Sequence, residues 1–162
     1  MGKNLWLGIK LIVSDFDGCW TDGKVTVHQD GSESVVCSRK DTLRLPEVRA
    51  PGIDLLVLST ESNTVVLTRC TKMEVPCIIG CRDKLPGLRT LLESRKLHPA
   101  QVAYVGDDLN DLDCLRYVGL PITVADGDEK CRAIARQITT RRGGDHAMRE
   151  IFDLLLASYE NP

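Results

Sequence analysis

The chain has 162 residues, enough for one buried core and too few for a second sizeable domain beside it. Its formal charge of −2 and aromatic content of 4% provide neither the basic field nor the stacking surface of a nucleic-acid binder. The seven cysteines are odd in number and form no CxxC pair, so they read as reduced, mostly buried thiols of a cytoplasmic protein.

The N-terminal apolar run is interrupted by Lys10 and stops at Ser14-Asp15-Phe16-Asp17, unlike a signal peptide. No stretch has the uninterrupted apolar length of a membrane span. Residues 9–14 read as a first buried strand, with Asp15 and Asp17 at its end and Gly18 after them. Segments 24–28 and 33–37 alternate with period two around Gln29-Asp30-Gly31-Ser32, the pattern of a β-hairpin. The first crossover helix belongs over 41–52, but Pro46 and Pro51 predict a short or irregular one.

Beyond it, strands are expected over 53–59, 75–80, 102–106 and 121–125, short apolar runs bounded by charged, Gly or Pro residues. Helices alternate with them: Thr64–Met73 behind the N-cap Asn63, and Lys84–Arg95 with Leu85, Leu88, Leu91 and Leu92 at helical spacing. Others are expected over 111–118 with Gly119 as C′ residue, over 128–136 and over 147–158. Alternation of this kind implies a doubly wound, mainly parallel α/β sheet, in one domain over 1–162.

In such a sheet ligands bind beyond the carboxyl ends of the strands. Those ends carry Asp15 and Asp17, then Ser59-Thr60-Glu61, then Arg82-Asp83-Lys84, and then Asp107, Asp108 and Asp111. Carboxylates so crowded resist ionising unless a cation neutralises them, and oxygen ligands without histidine favour a hard ion, Mg²⁺ first. Such an ion beside a lysine and a hydroxyl suits a phosphoryl group. One aspartate is then placed to attack phosphorus, and the other, Asp17, to give a proton to the leaving alkoxide and later take one from water. Singly, each residue has a plainer reading as a turn, cap or solvated charge; their joint occurrence at successive strand ends is what indicates a site.

The segments Asp15-Phe16-Asp17-Gly18, Ser59, Lys84 and Gly106-Asp107-Asp108-Leu109-Asn110-Asp111 resemble, in order, the four motifs of the haloacid dehalogenase superfamily. WTDGKV, the hairpin, VAYVGDDLNDL and GGDHAMREIFDLL resemble its small cap-less branch, which includes 3-deoxy-D-manno-octulosonate 8-phosphate phosphatases, nononate 9-phosphate phosphatases and C-terminal domains of acylneuraminate cytidylyltransferases. The resemblance implies a Rossmann-like fold without a cap, a hairpin flap at about 24–37 and a C-terminal tail over about 141–162. It implies Asp15 as nucleophile, Asp17 as general acid/base, and Ser59 and Lys84, with Gly18, around the phosphoryl group. Mg²⁺ would be held by Asp15, Asp107 and the backbone carbonyl of Asp17, with Asp111 supporting. It further implies a cytoplasmic homotetramer acting on a sugar acid phosphate in octulosonate or sialic acid biosynthesis, its hairpin and a neighbour's tail closing each site. Gly143, Gly144 and Arg149 then approach substrate across an interface, or else the glycines are a turn before the last helix.

Departures from the branch lie near the expected pocket: Thr42, Arg44, His146, and Thr60 where a glycine is usual. Glu61 with Lys72 matches nononate better than octulosonate enzymes, so a nononate or acylneuraminate 9-phosphate is the preferred substrate and octulosonate 8-phosphate the alternative. A helix N-terminal charge would explain Glu61 equally. From other classes, a phosphoreceiver would put its phosphorylated Asp on a middle strand, where Gly80-Cys81-Arg82 offers none. A non-catalytic oligomerisation module is disfavoured by the intact aspartates, and no GxGxxG supports dinucleotide binding.

Overall fold

In the computed structural model residues 4–160 are described; the last two residues of the expected tail lie outside them. The chain order is β1 (Leu11–Ser14), hairpin strands β2 (Thr26–Val27) and β3 (Glu33–Ser34), α1 (Leu45–Arg49), β4 (Asp54–Leu58), α2 (Thr64–Met73) and β5 (Cys77–Ile78). It continues with α3 (Lys84–Arg95), β6 (Val102–Val105), α4 (Leu112–Tyr117), β7 (Leu120–Thr123), α5 (Glu129–Ile134), β8 (Gln137–Ile138) and α6 (Ala147–Glu160). Six of these strands form one sheet in the order β5-β4-β1-β6-β7-β8, every pairing parallel.

Period-two alternation sorts the sheet's side chains between two cores. Ile12, Val57 and Ala103 face Val48 of α1, Val66 and Cys70 of α2 and Phe152 of α6. Leu11, Val13, Leu56 and Tyr104 face Leu88 and Leu92 of α3, Leu115 of α4 and Cys131 of α5. Covered on both faces, β1 is buried along its whole length. The order turns back at β1, whose neighbours are β4 and β6, so the crevice between the ends of β1 and β6 is the topological switch point.

The helices Thr64–Met73 and Lys84–Arg95 form over the bounds expected from sequence, the first with Asn63 accepting from Val65 N at 3.0 Å. Most other expectations shorten, while α6 runs two residues past the expected 147–158. Residues 75–80 keep only β5, and the hairpin pairs only Thr26–Val27 with Glu33–Ser34. The segment 41–52 is irregular as Pro46 requires, a 3₁₀ turn Lys40–Thr42 before α1. Another 3₁₀ turn, Leu109–Asp111, precedes α4. Gly119 is not the left-handed C′ residue expected of it: α4 ends in the extended Val118, and a Cβ at Gly119 would crowd the Ala100 backbone, so close approach is what needs the glycine. The edge strand β8 was not foreseen; two half-buried residues give too short an alternation.

Candidate active site

Register brings the acids together. Ser14 lies opposite Val57 and Val105, and Asp15 N donates to Val105 O at 2.9 Å, so Asp15 leaves the sheet level with Gly106. Asp107 and Asp111 follow from β6, and oxygens of Asp15, Asp107 and Asp111 all lie within 4.8 Å of one another. Gly18, at φ +82°, is where the loop passes Asp107; a Cβ there would overlap the Asp107 carboxylate.

Lys84, the first residue of α3, sits at the end of a helix where a cation is disfavoured, and its side chain is fully buried. It is held there by Asp15 Oδ2 at 2.7 Å and Asp111 Oδ1 at 2.8 Å. Burial works against its charge, but the two carboxylates outweigh burial and keep it protonated above the ordinary lysine range. Asp111 is saturated: Oδ1 also accepts from the buried Tyr104 hydroxyl at 2.7 Å, and Oδ2 from Asp107 N at 3.1 Å and more weakly from Asp108 N at 3.5 Å. It braces the cluster. Asp108 instead caps the 3₁₀ turn, accepting from Leu109 N at 2.7 Å.

One ammonium cannot balance this much negative charge. The Asp107 carboxyl is pushed up to about 8, by burial first and then by Asp15, Asp111 and Asp108. Asp15 is raised too, by burial and by Asp111, despite Lys84 and a hydrogen bond from Phe16 N. Among the described residues, the one side-chain donor to Asp107 is the Cys19 thiol, at 3.9 Å, which burial keeps protonated. An all-oxygen set with excess charge fits a hard divalent cation, with Asp15 and Asp107 as its side-chain ligands.

Asp17 is half-buried and turned by Thr21, whose hydroxyl donates to Asp17 Oδ1 at 3.1 Å and accepts from Gly18 N and Gly23 N. Burial, and then the nearby Glu61, raise its pKa against that hydrogen bond, so it holds a proton more readily than a free aspartate. Thr21 and Tyr104 were not singled out from sequence. Thr21 stood only within the WTDG segment, and Tyr104 reads as one more residue of a buried strand. Ser59, buried at the end of β4, has an Oγ that accepts from Glu61 N at 3.1 Å. Asp17, Thr60 and Glu61 line a cavity of about 290 Å³ roofed by the hairpin.

The remaining expected residues stand apart from the carboxylates. Lys72 lies in the last turn of α2, roughly 12 Å of helix rise beyond Thr64, in a groove with Arg39, Arg49 and Arg69. Arg149 points its Nε to Asp153, at 3.0 and 3.1 Å, in a different cavity shared with His146. Arg44 is engaged with Glu47 and Asp153, and Thr42 donates to Arg39 O. Gly143 and Gly144 form the turn before α6 and pack on the loop that follows Asp15 and Asp17: Gly144 N donates to Cys19 O at 3.1 Å, and Cβ atoms there would overlap the backbone of Gly18 and Thr21.

Residues 78–145 match the family model described as haloacid dehalogenase-like hydrolase. The chain is 32% identical over 149 residues to the 3-deoxy-D-manno-octulosonate 8-phosphate phosphatase of Escherichia coli K12, covering 91% of this chain and 79% of that protein. The crystal structure of the Moraxella catarrhalis enzyme of the same name, in complex with magnesium, phosphate and the octulosonate KDO, superposes with a TM-score of 0.93 at 32% identity, over 99% of this chain and 95% of that one. A Streptomyces avermitilis structure described only as a HAD family hydrolase is 41% identical with a TM-score of 0.89, over 93% of this chain and 86% of that one.

Proposed function

Since this chain belongs to the haloacid dehalogenase superfamily, in the branch of the octulosonate 8-phosphate phosphatases, and is a phosphoric monoester hydrolase, we propose that it cleaves the phosphate ester of a 2-keto-3-deoxy sugar acid, 3-deoxy-D-manno-octulosonate 8-phosphate first. The observation that carries the reading is the buried Asp15–Lys84–Asp111 chain with Asp107 beside it, at the switch point. The preference drawn from Glu61 and Lys72 for a nine-carbon 9-phosphate gives way. What favours the eight-carbon substrate is the match to octulosonate 8-phosphate phosphatases along nearly the whole chain, while Glu61 has a local use besides, its Oε1 accepting from Ser62 N at 2.7 Å and Asn63 N at 2.8 Å. The nononate or acylneuraminate 9-phosphate stays the second reading because Glu61 does line the cavity beside Asp17.

Asp15 attacks phosphorus and the bond from phosphorus to the sugar oxygen breaks, leaving an aspartyl phosphate. Asp17 gives its proton to the departing alkoxide. It then takes a proton from the water that attacks the aspartyl phosphate, so that phosphate leaves and Asp15 is restored. Lys84 and Ser59 balance and orient the phosphoryl oxygens. Asp15, Asp107 and the Asp17 carbonyl would hold Mg²⁺, which would supply the charge that lets a carboxylate approach a phosphate dianion. The chain works as one phosphatase unit, in a cytoplasmic homotetramer. The exposed Val25, Val27 and Val36 of the hairpin offer apolar surface for a partner copy, and free cysteines throughout suit a reducing compartment.

Phosphate release with Mg²⁺ from octulosonate 8-phosphate, nononate 9-phosphate, N-acetylneuraminate 9-phosphate and unrelated sugar phosphates tests this, with Asp15→Asn as blank. Selective release from a 2-keto-3-deoxy acid, reduced at least about a thousandfold in the variant, is expected. No release above the blank from a folded tetramer would favour a non-catalytic oligomerisation module.

A further inference from the structure

The cavity beside Asp17 is acidic, although the proposed substrate is itself an acid. Its charged lining is Asp17, Glu33, Glu61 and Lys24, and Lys24 is exposed and turned to Asp22 at 3.3 Å. A second anion is therefore poorly received there, whereas hydroxyl groups find acceptor oxygens. Glu33 comes from β3, on the hairpin, and is fixed from the opposite wall: Asn63 Nδ2 donates to Glu33 Oε2 at 2.6 Å. The same Asn63 caps α2 through its Oδ1, so one amide joins the hairpin to the helix that follows β4. Oε1 of Glu33 and Oε2 of Glu61 accept no hydrogen bond from the described residues.

We propose that Glu33, latched by Asn63, is a specificity-determining residue that with Glu61 accepts hydrogen bonds from the hydroxylated chain of the substrate, the substrate's own carboxylate lying outside this cavity. The inference rests on the phosphatase reading above. A latch is the physical requirement, because a hairpin with two short strands has no independent stability and an unfixed carboxylate would pay its ordering entropy on binding.

The test is steady-state kinetics of wild type, Asn63→Asp, and the double variant Asn63→Asp/Glu33→Gln. The substrates are octulosonate 8-phosphate, nononate 9-phosphate and p-nitrophenyl phosphate, which has no polyol. The single substitution keeps a capping carboxylate on α2 but sets it against Glu33 with like charge. In the double variant the introduced amide on the hairpin donates to the introduced carboxylate on the helix. That restores the bond with donor and acceptor exchanged, and leaves an amide oxygen for substrate. The ratio of the sugar-acid KM to the p-nitrophenyl phosphate KM should rise about tenfold in the single variant, with little change in kcat, and return to within about threefold in the double. An unmoved ratio, or a double variant no better than the single, overturns the proposal while leaving the phosphatase reading intact. Turnover of p-nitrophenyl phosphate that depends on Asp15, with neither sugar acid phosphate hydrolysed by wild type, overturns the substrate reading and this proposal with it.

Discussion

Lys84 is the residue on which the site turns, because a buried ammonium must be matched by its neighbours or it would not stay charged. Asp15 and Asp111 do that matching, and the position of Asp111 depends in turn on Tyr104 and on the backbone amides of Asp107 and Asp108. Tyr104→Phe should therefore cost about 1 kcal/mol of stability, by chemical denaturation, and lower kcat about three- to tenfold with KM little changed. An unchanged kcat would mean that Lys84 needs no such support. The acids, Ser59 and Lys84 were legible in the sequence because each stands within a few residues after an apolar run. Tyr104 was not, since the run around it hides a hydroxyl that matters only once Asp111 has folded back over it.

At the scale of elements, the active-site loop is supported by a segment more than a hundred residues later in the chain. Gly144 N donates to Cys19 O at 3.1 Å, with no room for a side chain between the two loops, and Gly143 is itself fixed by its N donating to Asp126 Oδ1 at 2.9 Å. Gly143→Ala should cost about 1–3 kcal/mol by overpacking. Thermal denaturation should show a lower midpoint, and Mg²⁺-dependent turnover should fall with it because Asp17 and Gly18 are displaced. Full stability and activity would show that the contact yields freely. The glycine pair was visible in the sequence, but not its neighbour. The same holds for Lys72: α2 has the bounds its sequence predicts, yet its length carries Lys72 away from the strand-end carboxylates of this chain.

For the whole molecule, the crowding of acids predicts an unusual pH dependence without metal. Burial first and then its acidic neighbours push the Asp107 carboxyl up to about 8 in the folded chain, from an ordinary value of 3.8, and burial raises Asp15 and Asp41 as well. In that window the folded chain retains protons that the unfolded chain has lost, so stability falls as pH rises. This contribution is complete below pH 3.8 and is lost as the pH rises through about 8. The melting temperature of the metal-free protein should thus decline from about pH 6 to about pH 8.5, and Mg²⁺, which favours the ionised carboxylates, should raise it more at the alkaline end. A metal-free melting temperature that is flat or rises over this range, or an equal Mg²⁺ effect at both ends, would contradict the charge balance described.

By itself the sequence determined what depends on local pattern. Buried runs and capped helices dictate a parallel α/β sheet, and strand ends in such a sheet assign Asp15, Asp17, Ser59, Lys84 and Asp107 to one edge. Only the tertiary structure decided what depends on distance between remote segments. It made Asp111 a saturated brace through Lys84 and Tyr104, tied Glu33 to Asn63, set Gly143 against Gly18, and placed Lys72 and Arg149 apart from the carboxylate cluster of the same chain. Periodicity and capping are properties of neighbours along the chain. Hydrogen-bond saturation, close backbone approach and cavity charge arise only when the sheet order and register have placed distant residues side by side.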